Sequence, residues 1–314
     1  MAGRSNGSSP STHGAGCMTL LPSISPVEGQ NLVARLLEHT GHALPAADAL
    51  TRLQVIARAF SHLPYENLSK AVAFDRSAAS EFETPRQVIE NHLQLGSGGT
   101  CFSLTHTLVC LLQSLGIDAW PILADRSYGP DTHSAVLVAL PAEPPRHETA
   151  TTWIVDPGFL IHDPLRLNTG LVTTLVTPIQ VIELVPIAAD RWQLFTATES
   201  PRPSPRGGEG QAPARSQPPT YRLTYRATPA SPEEFGRAWR ASFGWEMMRY
   251  PVVSMATTRE QVFACGKRWQ VRSAEGLERI EVDRATWRAR LVQQFGLSPA
   301  LVDAAWEAFE EKPQ

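Results

Sequence analysis

The chain has 314 residues, of which 42% are hydrophobic and 19% are charged, and its net charge at pH 7 is -3. This balance predicts a globular, water-soluble protein that is long enough to bury a large core in two or three regions. The small net charge excludes a general electrostatic attraction to nucleic acid or to an anionic membrane.

The cysteines indicate a reducing compartment. Cys17, Cys101, Cys110 and Cys265 are spaced like neither a zinc ribbon nor a redox pair, and an even number in so long a chain does not indicate a disulfide framework. Apolar runs stay short of the ~18 residues that span a membrane, and the first residues lack the apolar segment of a signal peptide. We therefore expect a cytoplasmic protein without a metal site.

Helical spacing of apolar residues dominates the first third of the chain. Residues 1–26 are expected to be a disordered tail, and residues 27–116 a helical domain that carries the candidate nucleophile discussed below. The predicted helices begin near residue 28, cover residues 47–62 and 84–95, and run from residue 101 through residue 113. Thr84 followed by Pro85 is typical of a helix start, and Gly116 is typical of a helix end.

The pattern then changes to short β-branched segments. Residues 117–198 are expected to form a small antiparallel β-barrel. Residues 199–220, rich in Pro, Gly, Ser and Arg, are expected to be a flexible insertion or linker. Residues 221–314 are expected to form a C-terminal α/β lid, with strands at 221–226, 252–256, 261–265 and 267–271, and with helices starting at 232, 285 and 298. The predicted fold class is therefore α+β.

A glycine pair before a cysteine is the most informative feature of the chain. Gly98, Gly99 and Thr100 precede Cys101, where an apolar-periodic helix begins. Glycine lets the backbone turn sharply, and the unpaired N–H groups of a helix start favour a thiolate. Cys101 is therefore a candidate nucleophile, although a cysteine at a helix start is more often a small buried hydrophobe.

A cysteine nucleophile requires a base, and the base requires an orienting group. His133 opens a predicted strand, and Asp156 ends the next one. Cys101, His133 and Asp156 are therefore a candidate triad, in which the imidazolium stabilises the thiolate and Asp156 sets the tautomer. Taken singly, a strand histidine is more often structural and an aspartate before Pro-Gly is more often a turn residue, so only the combination favours catalysis.

Four stretches, in order along the chain, resemble the arylamine N-acetyltransferases, a family within the transglutaminase-like Cys-His-Asp enzymes. Residues 63–68 (LPYENL) resemble the motif Pro-Phe-Glu-Asn-Leu, and residues 98–102 (GGTCF) resemble Arg-Gly-Gly-x-Cys-Phe-Glu. Residues 132–138 (THSAVLV) resemble the histidine-bearing strand, and residues 154–159 (IVDPGF) resemble Val-Asp-x-Gly-Phe-Gly. The resemblance extends from residue 28 to residue 309, apart from the segment 199–220.

The resemblance implies ping-pong acyl transfer in xenobiotic metabolism. Cys101 would take an acyl group, typically from acetyl-coenzyme A, and pass it to an arylamine, arylhydroxylamine or hydrazine with His133 as base. Phe159 matches a position that lines the acceptor pocket, although an ordinary core phenylalanine fits the sequence equally well. The candidate substrate-binding residues are therefore Phe159 and two residues that adjoin the nucleophile, Gly99 and Thr100. No metal, nucleic acid or membrane partner is implied.

The polar residues around the triad depart from the family pattern. The departures are Ser97 for an Arg before the glycine pair, Ser103 and Thr105 for a Glu and an Asn after Phe102, Leu160 for the last Gly of the Asp motif, and Ile161 for an Arg often found beyond it. In the family, the residue matching Glu66 lies near the missing Arg. A buried Glu66 therefore requires another partner, for which Arg86 and Lys70 are candidates.

Three alternatives remain open at this stage. An amide synthase would use the same triad with a biosynthetic acyl thioester as donor. A transglutaminase-like enzyme would act on peptide bonds, and reaction with acyl-coenzyme A rather than peptides separates these two. A non-catalytic binding protein of the same fold would carry an inert thiol, which iodoacetamide barely alkylates at pH 6.

Overall fold

The structure is a computed structural model that describes residues 21–76, 82–142, 150–197 and 218–310. Cys17, residues 1–20 of the expected tail and most of the expected insertion lie outside the described residues. Residues 21–25 differ from the tail prediction, because they pack against the protein. Leu21 contacts the cluster around Phe102, and His106 Nε2 donates to the Pro22 carbonyl at 2.6 Å.

The N-terminal region is a bundle of amphipathic helices with an apolar core. Its elements are α1 (Pro26–His39), α2 (Ala49–Phe60), the short strand β1 (Tyr65–Glu66), α3 (Leu68–Arg76), α4 (Pro85–Leu95) and α5 (Cys101–Ser114). Thr84 and Gln87 form a reciprocal capping box at the start of α4, and Gly96 ends that helix in the left-handed conformation at φ 69°. Helix α5 lies at the centre, since twelve of its 14 residues are buried.

An antiparallel barrel follows the bundle. Its strands are β2 (Asp118–Arg126), β3 (Gly129–Pro141), β4 (Ala150–Asp156), β5 (Ile161–Arg166), β6 (Thr173–Val176), β7 (Val181–Ala188), β8 (Arg191–Ala197) and β9 (Thr220–Arg226). In the described part of the chain these eight strands pair in the order β5-β4-β3-β2-β9-β8-β7-β6, and the edge strands β5 and β6 approach each other, so that the barrel is nearly closed.

Strand β9 differs from its predicted place. The expected C-terminal region began at residue 221, but β9 lies between β2 and β8 in the barrel sheet. Its residues Leu223 and Tyr225 are fully buried among the side chains of the barrel interior. The local pattern predicted the strand itself correctly, and only long-range pairing decides which sheet a strand joins.

The C-terminal region combines a second sheet with helices. Its elements are α6 (Pro232–Ala241), β10 (Val252–Ala256), β11 (Glu260–Cys265), β12 (Arg268–Ser273), β13 (Gly276–Glu281), α7 (Arg284–Phe295) and α8 (Pro299–Glu310), with 3-10 turns at Ser242–Gly244 and Glu246–Arg249. The sheet order is β1-β10-β11-β12-β13, so the bundle supplies one edge strand. Trp269 and Trp287 are buried in the core of this region, against which α3 also packs.

The predicted fold class is confirmed: the protein is α+β, with a helical bundle, a barrel and a C-terminal α/β region. None of the helices in the described ranges combines the length and the apolar character needed to cross a bilayer.

Candidate active site

The glycine turn places Cys101 at the first position of α5. Gly99 N–H donates to the Pro64 carbonyl at 3.3 Å, and the Gly99 carbonyl accepts from Glu66 N–H at 2.9 Å. A Cβ at Gly98 would collide with the Pro64 carbonyl, so this approach to β1 requires glycine. Cys101 therefore lies at a rigid helix start, where the unpaired N–H groups favour a negative charge.

His133 and Asp156 meet at one end of the barrel. Along β3, residues 133, 135 and 137 face the barrel interior, whereas Val136 and Val138 pack on the helices. Asp156 ends β4, the neighbouring strand, and its oxygens lie 2.7 and 2.9 Å from His133 Nε2. Because Nε2 donates to this carboxylate, Nδ1 is the nitrogen left to accept a proton.

Gly158 brings the nucleophile and the base against the same backbone. A Cβ at this position would lie 2.5 Å from Cys101 Cβ and 3.0 Å from His133 Cε1. Any larger residue would push Cys101 and His133 apart, which explains the glycine two residues after Asp156. The structure thus brings Cys101, His133 and Asp156 together as a buried group, with exposed fractions of 4%, 1% and 0%.

The electrostatics of the three groups favour a charged pair. Burial raises the pKa of the Cys101 thiol, but the hydrogen bond and the charge of His133 outweigh it and lower the pKa below the usual value of 9.0. Burial lowers the pKa of His133, yet the Asp156 charge reverses the effect and raises it above 6.5. Burial also opposes the low pKa of Asp156, which the His133 charge and three hydrogen-bond donors maintain. The thiolate–imidazolium form is therefore stabilised.

Two residues at the site were not predicted. Tyr225 donates its phenol proton to Asp156 Oδ2 at 2.6 Å, and Arg126 Nη2 donates to His133 Nδ1 at 3.1 Å. Ala124 pairs with His133 on one side and with Tyr225 on the other, so the strand register brings these side chains to one face. The tight turn between β2 and β3 was the one local signal that could have placed Arg126 near the histidine.

An open cavity of about 750 Å³ adjoins the triad. Cys101, His133 and Phe159 line it on one side, and residues 245–265 of the C-terminal region line it on the other. The Phe159 N–H also donates to Asp156 Oδ1 at 2.8 Å, so this residue both borders the cavity and orients the triad. Gly99 and Thr100 lie behind Cys101 instead, and their role in substrate binding remains a prediction.

Asn67 fastens the C-terminal wall of the cavity to the bundle. Its Nδ2 donates to the carbonyls of Met247 and Tyr250 at 2.7 and 2.9 Å, and its Oδ1 accepts from Val252 N–H at 2.8 Å. Strand β1 adds backbone pairing to β10, in which Tyr65 lies opposite Ser254. Tyr65 also forms a bridge with Gly99, so one two-residue strand joins the cysteine turn to the second sheet.

Glu66 has found partners other than the expected cations. Its carboxylate accepts from Ser69 N–H at 2.9 Å, from Ser69 Oγ at 2.6 Å and from Gly98 N–H at 3.3 Å. The Glu66 carboxylate therefore caps the start of α3, and three neutral donors take the place of the expected guanidinium. Arg86 pairs with the surface residue Glu28 instead. The expectation for Arg86 was wrong because its helix turns it outward.

Lys70 forms a separate buried cluster beneath the nucleophile. Its Nζ donates to Ser242 Oγ at 2.7 Å and lies 3.8 Å from the centre of the Phe243 ring. Burial lowers the pKa of Lys70 to about 8 and raises the pKa of Glu83 to about 7. The charge of Lys70 stabilises the carboxylate of Glu83, so two ionisable groups share a site that is partly shielded from water.

Within the described ranges, no group of three or more His, Cys, Asp and Glu side chains is arranged to hold a metal ion.

Comparison by sequence finds no matching protein-family model and no matching curated protein. Comparison of structures finds arylamine N-acetyltransferases. The enzyme from Mycobacterium abscessus superimposes with a TM-score of 0.69 at 20% identity, over 91% of this chain and 97% of that one. The enzyme from Salmonella typhimurium gives a TM-score of 0.66 at 18% identity, over 88% of this chain and 98% of that one.

A third neighbour differs in its catalytic residues. The arylamine N-acetyltransferase from Bacillus cereus, described as having a unique Cys-His-Glu triad, gives a TM-score of 0.63 at 13% identity, over 85% of this chain and 99% of that one. Each match covers nearly the whole of the solved protein. The chain therefore has the fold of the arylamine N-acetyltransferases.

Proposed function

We propose that the protein is an acyltransferase that moves an acetyl or other acyl group from coenzyme A to an arylamine, arylhydroxylamine or hydrazine through an acyl-enzyme on Cys101. The observation that carries this proposal is that His133 is hydrogen-bonded to Asp156 and interacts with Cys101, and that Cys101 and His133 line an open cavity. The shared fold supports the same reaction class.

In the first half-reaction, His133 Nδ1 takes the thiol proton and the Cys101 sulfur attacks the thioester carbonyl. The N–H groups at the start of α5 are placed to stabilise the oxyanion that forms. The carbon–sulfur bond to coenzyme A then breaks, and His133 returns the proton to the departing thiolate. Asp156 holds the ring in the required tautomer and stabilises its charged form.

In the second half-reaction, the acceptor nitrogen attacks the acyl-enzyme carbonyl. His133 removes the nitrogen proton, and the Cys101 thiolate leaves as the amide or hydrazide forms. Phe159 presents an aromatic ring at the cavity wall, which suits a flat acceptor.

Intact mass after brief incubation with acetyl-coenzyme A tests the acyl-enzyme. We expect a gain of about 42 Da in the wild type, the mass of one acetyl group in place of the thiol proton. Cys101→Ala should abolish the gain and turnover with an arylamine, while leaving the fold intact.

The matched control is Cys265→Ala, because Cys265 lines the same cavity. It should acquire the acetyl group as the wild type does. A mass gain that survives in Cys101→Ala and disappears in Cys265→Ala would contradict the assignment of the nucleophile. No gain in the wild type, with acetyl and longer acyl donors alike, would contradict acyl transfer from coenzyme A.

A further inference from the structure

The cavity holds a cation that the mechanism above does not use. Of the residues described along its lining, Arg126 and Glu246 are the charged side chains outside the triad. Glu246 is exposed at the outer rim, whereas Arg126 is half-buried beside the base. Next to the reacting sulfur, the inner part of the cavity therefore holds a guanidinium in addition to the three groups of the triad.

Arg126 has no carboxylate partner among the residues that the structure describes. The two acids of its own hairpin are engaged elsewhere, Asp125 with Arg191 and Asp131 with Arg226. The Arg126 guanidinium lies over the Phe159 ring, with its carbon 5.6 Å from the ring centre. Its Nε is buried and without a hydrogen-bond partner. An arginine has five donors in a fork that matches a carboxylate, so most of its binding capacity is unused.

Among the described residues, the hydrogen-bond partner of the Arg126 side chain is His133, the proposed base. Nη2 donates to His133 Nδ1, the nitrogen that must accept the Cys101 proton. A guanidinium in this position competes with the thiol for the same lone pair, and its charge lowers the basicity of the imidazole. An anion that binds the guanidinium removes both effects. The charge of the substrate is thus coupled to the availability of the base.

We propose that Arg126 binds a carboxylate on the substrate, and that the site prefers a substrate whose carboxylate lies close to the reacting group. This inference rests on the proposed function for its reaction step. The carboxylate belongs either to the acyl group, as in a malonyl thioester, or to the acceptor, as in an aminobenzoate. Either source would present a carboxylate to the Arg126 guanidinium, and measurements with donors and with acceptors distinguish the two sources.

Binding without turnover is the first measurement. Isothermal titration with benzoate and with the neutral isostere benzamide compares a carboxylate with an uncharged group of the same shape. We expect the wild type to bind benzoate more tightly, by roughly ten- to a hundredfold, as for a hydrogen bond to a charged group. Arg126→Met should remove this preference. Equal affinities of the wild type for the two compounds would overturn the proposal, whether or not the variant folds.

Two further variants make the titration specific. Arg126→Lys keeps the charge and loses the fork, so it should retain part of the preference. Arg191→Met removes a guanidinium from the neighbouring ion pair with Asp125 and should keep the full preference. A loss of equal size in Arg191→Met and Arg126→Met would assign the effect to net charge and would overturn a specific role for Arg126.

Reaction rates then identify the source of the carboxylate. In one set, formation of the acyl-enzyme is compared for malonyl-coenzyme A and acetoacetyl-coenzyme A; in the other, kcat/KM is compared for 4-aminobenzoate and 4-aminobenzamide. The ratio of charged to neutral substrate should fall in Arg126→Met in one of the sets, by roughly ten- to a hundredfold. Unchanged ratios in both sets would overturn the proposal. If no donor acylates Cys101, the proposed function fails while the benzoate titration still decides the role of Arg126.

Discussion

At the scale of single residues, the proposed mechanism depends on the effect of Asp156 on the charge of His133. The carboxylate is fully buried and accepts from His133, from Tyr225 and from the N–H of Phe159. It therefore stays charged and raises the pKa of His133, which in turn lowers the pKa of Cys101. The reactivity of one sulfur thus depends on a carboxylate that does not touch the substrate.

The pH dependence of Cys101 alkylation tests this chain of effects. With the thiol pKa below 9.0 and the His133 pKa above 6.5, wild-type Cys101 should react with iodoacetamide at pH 6 faster than an ordinary thiol. Asp156→Asn should slow alkylation at pH 6 by about tenfold or more, because the imidazolium loses its counter-charge.

Peptide mass mapping assigns the alkylated cysteine, and Asp163→Asn is the control, since Asp163 pairs with Arg58 on the surface. Tyr225→Phe removes one donor from Asp156 and should have an intermediate effect. Equal rates for Asp156→Asn and the wild type at pH 6 would show that the carboxylate does not activate the thiol.

At the scale of elements, the turn between β4 and β5 keeps a conformation that its sequence disfavours. Leu160, which stands where the related motif has glycine, has φ 62°. An L-residue in this left-handed region costs ~1–2 kcal/mol, because its Cβ crowds the backbone. The glycine geometry is thus retained with a leucine, whose side chain borders the cavity.

Substitution of Leu160 measures this strain. Leu160→Gly and Leu160→Ala both remove the side chain beyond Cβ, but only alanine keeps the crowded Cβ. We expect Leu160→Gly to be more stable than Leu160→Ala by about 1 kcal/mol in urea unfolding. The alanine variant serves as the matched control for lost contacts, and equal or greater stability of Leu160→Ala would contradict strain at this position.

The elements that the sequence predicted correctly have strong local signals. Helix α4 carries a capping box, and α5 is apolar along most of its length. Cys101 begins α5 and Asp156 ends β4, as the local pattern indicates, whereas β3 starts four residues before His133. For three of the short elements that were not predicted, the reasons are identifiable. Helix α3 depends on packing against α8, β5 is an edge strand that contains Pro164, and β13 is an edge strand with little buried surface.

The contact of Tyr225 with Asp156 could not be predicted for a different reason. It depends on the register among β3, β2 and β9, and β9 lies about ninety residues after His133 in the chain, whereas Arg126 lies in the same hairpin as His133. Local pattern gives the presence of a strand, whereas register across distant strands follows from the packed sheet.

At the scale of the whole molecule, a partly buried carboxyl group, that of Glu83, couples stability to pH. The pKa of Glu83 is about 7 in the folded protein, against 4.5 for an ordinary glutamate. The native state therefore binds this proton more tightly, so the contribution of Glu83 to stability is complete below pH 4.5 and is lost as pH rises through 7.

Glu83→Gln should remove this dependence. We expect the wild type to lose up to about 3 kcal/mol relative to the variant between pH 4.5 and pH 7.5, from a difference of 2.5 pKa units. Urea unfolding at several pH values measures it, and Glu38→Gln on the surface of α1 is the control. Parallel stability curves for the wild type and Glu83→Gln would show that Glu83 titrates as an exposed group.

Asn67 and β1 hold the C-terminal wall of the cavity to the helical bundle. A C-terminal region that swung away as a hinged flap would have to break the three hydrogen bonds of the Asn67 side chain and the pairing of β1 with β10. The same strand carries the bridge to Gly99, so such an opening would also release the turn that holds the nucleophile. A swing of this region would therefore disrupt the turn that carries Cys101, and we expect substrates to enter the open cavity without one. The local stability of the turn before Cys101 then depends on the second sheet. Substitutions that destabilise that sheet should therefore lower activity even when they lie far from Cys101.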